Sequence, residues 1–228
     1  MRFRTKLFRW FDRATHLVPL CVGVAFAIHG GGKQRGIPGW EEKVDQIGNS
    51  LISQIDILAE TASEFSAIAR TADDVAGEVD LNALLREQMI IFDNRDNIAL
   101  KYRCSVVEPV VQGRRKQLSR VFTNLITNAI QAIEESTGKG RIEISLNEEP
   151  AEPSRRCYVV RVEDDGPGVP PENVDRIFTS NFTTRSSGSG LGLSICKGII
   201  EQTGGTIECG RSDTLGGACF TVRFYVEA

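Results

Sequence analysis

The sequence predicts an α+β chain: a two-layer α/β sandwich over residues 79–228, preceded by a long bundle-forming helix over 41–70. Two patterns carry that prediction. Over 41–70 the apolar residues step by threes and fours along one seam. Over 79–228 segments of that period interleave with segments that alternate every second residue, as helices laid on one face of a mixed sheet require. A length of 228 residues exceeds one average domain without demanding two large ones.

Residues 1–40 fit neither pattern. Arg2, Arg4, Lys6, Arg9 and Arg13 precede the apolar run from Leu17 to Ile28, which His29 and the glycines 30–32 end. These twelve residues fall short of the roughly 20 that span a bilayer. The stretch reads as interfacial or irregular, although its basic start, short apolar core and Ala25-Phe26-Ala27 imitate a secretion signal.

From 41 to 70 the seam is Val44, Ile47, Leu51, Ile55, Leu58, Ala62, Phe65 and Ala69, with polar residues elsewhere. That is the edge of a coiled coil or helix bundle, and one helix cannot bury it alone. Residues 71–78, TADDVAGE, form a short polar linker. Asp80 caps a helix running to about Asn94, and 98–104 and 106–111 read as strands. Next comes an amphipathic helix whose core face is Val121, Phe122, Leu125, Ile126, Ala129, Ile130 and Ile133. Residues 141–146 alternate as a strand, 148–154 form a Pro/Glu-rich turn, and 156–163 are the strand that delivers Asp164. A helix over 190–203 stops at Gly204-Gly205, and 206–209 with 218–226 close the sheet.

Composition narrows the function. With 27 basic and 30 acidic residues, the formal charge of −3 makes no general case for nucleic-acid binding. Cys21, Cys104, Cys157, Cys196, Cys209 and Cys219 are scattered without a CxxC spacing, which suits reduced core thiols better than a disulfide frame or a zinc site.

The chemistry gathers at two glycine runs. Asp164-Asp165 leads into Gly166-Pro167-Gly168, and Gly188, Gly190, Leu191 and Gly192 open an apolar helix. Glycine in a turn lets backbone approach a ligand. A glycine run at a helix start aims N–H groups and the positive end of the dipole at an anion, for which phosphate is the natural candidate. Either run taken singly also reads as an ordinary surface turn. Upstream, Asn124 and Asn128 stack one turn apart on one side of the amphipathic helix. Two readings stay open there: a pair of satisfied helix-to-loop hydrogen bonds, or an amide oxygen holding a magnesium ion that also touches substrate phosphates.

Together these stretches resemble the ATP-binding domain of the GHKL superfamily, most closely that of two-component sensor histidine kinases. NLITNA resembles the N box, DDGPG the first glycine box, RIFTSNFTTR the F box, SGSGLGLSI the second glycine box and LGGACFTV the last glycine element. The resemblance covers about residues 42–228 and implies a Bergerat fold that binds ATP with Mg2+. It makes Asn128 the magnesium-binding amide and turns Asn124 and Arg120 toward phosphates or sugar. Asp164 becomes the acceptor of the adenine amino group, which would repel the guanine carbonyl, and Asp165 a solvated neighbour. Gly166 and Gly168 would approach base and ribose, while Phe178 and Phe182 anchor the ends of a lid or are plain core. Asn181, Thr183 and Thr184 are lid residues. Arg185 stands where the family often has a lysine reaching the terminal phosphate, and arginine adds a fork. Gly188, Gly190, Leu191 and Gly192 would cradle phosphates.

The same resemblance makes 41–70 the second helix of a dimerisation and phosphotransfer hairpin, so a homodimer or heterodimer through it is expected, with a response-regulator receiver domain as partner. An ATP site needs ATP, which weighs against secretion. The chain is expected in the cytoplasm, as the cytoplasmic part of a membrane sensor system, with membrane association only through a missing or upstream region. In the hydrolytic branches of the superfamily a glutamate lies four residues before the metal asparagine; here that residue is Asn124. An amide cannot take the proton of an attacking water, so the resemblance implies transfer of the γ-phosphoryl group to a histidine. No H box is present. His16 and His29 are the chain's histidines and neither fits one, while 14–39 contain Pro19, Pro38 and six glycines, which disfavour a first hairpin helix. The missing H box fits a truncated, degenerate or frame-disturbed gene product, and the sequence leaves open whether residues 1–40 are native, truncated or frame-disturbed. Two functions follow: a histidine kinase's catalytic part whose acceptor is supplied from elsewhere, or an ATP-binding interaction module that modulates a partner kinase.

Overall fold

The computed structural model describes residues 75–93, 95–150, 155–180, 182–183 and 190–227, together with Gly48, which is helical. Apart from Gly48, these residues belong to one compact unit, Thr61–Thr184 with Ser189–Ala228. The readings of 1–40 and of the 41–70 seam lie outside the described residues.

Strand β1, Gly77–Asp80, begins two residues inside the stretch read as linker. Its last residue is the expected cap. The Asp80 carboxylate accepts from Asn82 N and Ala83 N at 2.8 and 3.1 Å, starting helix α1, Leu81–Phe92. Leu81, Leu84, Leu85 and Gln88 form its buried side. Strand β2, Ile98–Cys104, has the predicted bounds. The strand expected over 106–111 does not: β3 is Val110–Gly113 and pairs antiparallel with β1 in a separate two-stranded sheet. Pro109 has no N–H for a ladder. Glu108 adopts φ 51° and its carbonyl accepts from Val110 N at 2.9 Å, so the chain turns where a straight strand was expected.

Helix α2, Arg115–Ser136, leads to β4, Gly140–Pro150. Its predicted apolar stripe, extended by Leu118, is nowhere more than 2% exposed. Gln88 ties α1 to α2, donating to Ser119 Oγ at 3.0 Å and accepting from Thr123 Oγ1 at 2.7 Å. Strand β4 runs on through residues expected to turn: Glu148, Glu149 and Pro150 pair with Tyr158, Cys157 and Arg156 of β5, Arg155–Asp164. The acids are tolerated because Glu149 meets Arg161 in an ion pair, and the proline takes the last pair of the ladder.

Helix α3, Gly192–Gln202, starts two residues later than predicted. It ends as predicted, with Gly204 N donating to Glu201 O and Gly205 N to Ile200 O, both at 3.0 Å. Strands β6, Thr206–Arg211, and β7, Ala218–Glu227, complete a five-stranded sheet of order β2-β4-β5-β7-β6. Only β2 and β4 pair in parallel within it, and α2 lies on the crossover between them. Alternate sheet residues such as Ile144, Val160, Val222 and Phe224 join the helical stripes in one core. This is the predicted two-layer sandwich.

Cys104, Cys157, Cys196, Cys209 and Cys219 are free thiols. Burial pushes the Cys157 and Cys219 thiols up and that of Cys209 up to about 12, which disfavours the reactive thiolate form. Among the described residues no helix is long and apolar enough to cross a membrane.

Candidate functional site

Helix α2 presents Asn124, Asn128 and Ala132 in succession, each one turn above the last on one side of the helix. Both glycine-rich segments meet this line. At one end Gly192 abuts Asn124: a Cβ at 192 would lie 2.9 Å from both Oδ1 and Nδ2 of the amide. At the other Gly166 abuts Ala132, whose Cβ is 3.5 Å from where a Cβ at 166 would stand. Eight residues at about 1.5 Å each put the two meeting points about 12 Å apart along the helix, with Asn128 between them.

Asp164 ends β5 and is 2% exposed. Its Oδ1 accepts from Gly166 N at 2.9 Å and Ala218 N at 3.1 Å, and its main-chain oxygen accepts from Gly217 N at 3.0 Å. A carboxylate held this way by backbone amides is fixed in orientation. Gly217 makes the arrangement possible. A Cβ there would fall 2.4 Å from both Asp164 O and Oδ1 and 2.7 Å from Gly166 N. Gly168, at φ +76°, takes a left-handed conformation that its position in the turn reserves for glycine.

Asp165 is not the solvated neighbour that the sequence suggested. Its Oδ1 accepts from Arg141 N at 2.7 Å and its Oδ2 from Arg141 Nε at 3.2 Å, leaving the side chain 20% exposed. The fit is tight, since a Cβ on Gly140 would sit 2.2 Å from Asp165 Oδ1. One acid is therefore held at the end of β5 by backbone amides, and the other staples that end to the start of β4.

At the opposite end Gly190 and Leu191 lead into α3. Leu191 holds the cap position, and an aliphatic side chain there offers the first amides no acceptor. Asn124 Nδ2 donates to Cys196 Sγ at 3.1 Å, linking α2 to α3 just behind this turn. Arg120 lies one turn before Asn124 and is partly buried. Phe178 meets Phe220 edge-on at 6.4 Å with Lys197 Nζ 6.0 Å from its centroid, and Arg176 lies over Phe182 at 4.7 Å. Both phenylalanines pack against the core. Thr183 is exposed, while Asn181, Thr184, Arg185 and Gly188 lie outside the described residues.

Three site residues had no role in the sequence reading. Gly217 and Gly140 matter through atoms far along the chain; Gly217 was marked only as part of the last glycine element, LGGACFTV, and Gly140 not at all. Cys196 read as a core thiol, and nothing in its neighbourhood pointed to Asn124.

Residues 113–228 match the family of histidine kinase-, DNA gyrase B- and HSP90-like ATPases. The chain belongs to this family. Among curated relatives of this ATPase family it is 32% identical over 166 residues to the sensor histidine kinase ZraS of Escherichia coli (strain K12). The match takes in 72% of this chain and 34% of ZraS, so the chain spans well under half of that relative's length. The nucleotide-free catalytic domain of the histidine kinase ThkA superposes with a TM-score of 0.54 at 32% identity, over 66% of this chain and 95% of that domain. ThkA in complex with the response regulator protein TrrA gives 0.55 at 25% identity, over 95% of this chain and 61% of that one. The five-stranded sheet with its α2 line of contacts is thus an ATP-binding domain of the GHKL class, homologous to those of sensor histidine kinases.

Proposed function

We propose that the chain holds Mg-ATP along the Asn124–Ala132 line of α2 and transfers its γ-phosphoryl group to a histidine in two-component signal transduction. The observation that carries the reading is the seating of Gly192 on Asn124 and of Gly166 on Ala132. A nucleotide laid between those points has its base beside the fixed carboxylate of Asp164 and its phosphates at the start of α3, where backbone N–H groups and the dipole favour an anion. Asp164 accepts the adenine amino group, and Gly166 and Gly168 keep the base approach clear. Arg120, Arg185, Thr184 and Gly188 serve the phosphate end.

Asn128 suits magnesium. It offers a hard, neutral amide oxygen, and its neighbours on the line, Asn124 and Ala132, bring no carboxylate, so Asn128 is the residue of this line that would hold the ion beside the phosphates. Magnesium held there would supply positive charge to offset that of the phosphates. Asn124 supplies no base for water, and ATP is kept for the histidine. Residues 79–228 then form the catalytic domain and 41–78 the dimerisation helix and linker, in the cytoplasm, with a response-regulator receiver downstream.

Incubating the full chain with γ-labelled ATP, magnesium and a separate helical hairpin that carries an H box tests the reading. Acid-labile label on the hairpin is expected; tight nucleotide binding with no label would favour the modulating module instead. His16→Gln and His29→Gln should change nothing, since neither stands in an H box and neither has an adjacent carboxylate in the sequence to take its proton. Label on the wild-type chain that vanished in one of these variants would make the chain a self-sufficient kinase. Asn128→Ala should cost on the order of 10- to 100-fold in magnesium-dependent ATP affinity. Its melting temperature should hardly move, because the apolar stripe of α2 is untouched. Unchanged affinity in a titration calorimeter would remove Asn128 from the metal.

A further inference from the structure

We infer that Cys196 is a positioning residue for nucleotide binding: its thiol fixes which way the Asn124 amide points. Cys196 lies on α3 and is 1% exposed. Its Sγ is 3.9 Å from Val121 O and 3.1 Å from Asn124 Nδ2. The Val121 carbonyl can only accept from the thiol, while the Asn124 amide turns its Nδ2 donor toward the sulfur's lone pairs. A sulfur that accepts selects the NH2 end of the amide. Oδ1 is thereby directed away from the thiol, in a side chain that also fills the space a Cβ on Gly192 would need.

The consequence concerns the ligand. An amide free to turn could offer either its donor or its acceptor to the nucleotide; one held by Cys196 keeps its Nδ2 engaged and presents Oδ1. An acceptor repels phosphate oxygens and suits a hydrogen-bond donor, so the fixed amide would meet a donor group beside the phosphates and not the phosphate oxygens themselves. The thiol itself touches no ligand. This inference rests on the proposed Mg-ATP site and adds a directional constraint within it.

Titration of the full chain with Mg-ATP tests the point through a double-mutant cycle. Cys196→Val, which removes the sulfur acceptor, should weaken binding about fivefold, as expected for the loss of one net hydrogen bond. Cys196→Ser, which keeps one donor and two lone pairs, should restore most of the affinity. In an Asn124→Ala background Cys196→Val should cost nothing further. Cys196→Ala serves as a second deletion if valine overfills the site, and melting temperatures of all variants separate packing from positioning. A merely structural cysteine would make the two losses add and leave serine no better than valine, which would overturn the inference while leaving the ATP site standing. A wild-type chain that did not bind Mg-ATP would instead sink the proposed site and this inference with it.

Discussion

Asp164→Asn is expected to weaken ATP binding by about 10- to 100-fold, the effect of losing one charged hydrogen-bond acceptor in a buried site. The fold should survive, because an asparagine Oδ1 can still accept from Gly166 N and Ala218 N as the carboxylate does now. What changes is the other atom, which becomes an NH2 group and meets the adenine amino group donor to donor. Asp165→Asn is the matched control. Its Oδ1 keeps the bond from Arg141 N, and the ion pair it weakens involves an Arg141 side chain that is 56% exposed. Screening limits that loss to less than about 1 kcal/mol of stability, with ATP affinity nearly unchanged. Fluorescent-nucleotide titration of the two variants would decide the matter. Equal losses would place the base against the wrong acid of the pair.

Local chemistry was legible, and contacts between distant residues were not. Asp80 announced its cap because a short acid before an apolar period satisfies amides two and three residues on. The stripe of α2 announced itself because eight core residues share one helical face. Strand β3 was misplaced since Val106 and Val107 look like strand, while the turn that excludes them depends on Glu108 and Pro109 acting together. Glu148 and Glu149 looked like turn since their polarity is answered from the neighbouring strand. In the site, the spacing of Asp164, Gly166 and Gly168 and the glycines before α3 were visible as short-range patterns. Residues 54 and 72 positions apart make the Ala218–Asp164 and Asn124–Cys196 bonds, and no local pattern encodes such a meeting. The same holds for Asp165, whose role depends on Arg141 across the β4–β5 pair.

Gly217→Ala should be among the most damaging single-methyl changes in the described domain, and Gly216→Ala, one residue away, should be mild. The two glycines are needed for different reasons. Gly216 has φ +87° with nothing within 4 Å of where a Cβ would stand, so alanine there meets only backbone strain, about 1–2 kcal/mol. Gly217 has no such φ, but its Cβ would strike Asp164 O and Oδ1 at 2.4 Å and Gly166 N at 2.7 Å. Two of those three atoms are backbone, so relief requires moving the end of β5 or the start of β7. Overpacking of that kind costs about 3 kcal/mol, and the displaced carboxylate should also cost at least about tenfold in ATP affinity, because its Oδ1 can no longer take both amides. Thermal melts and nucleotide titrations on both variants give the comparison. If Gly216→Ala lost ATP as severely as Gly217→Ala, the turn's conformation would govern the site, and close contact with Asp164 would not.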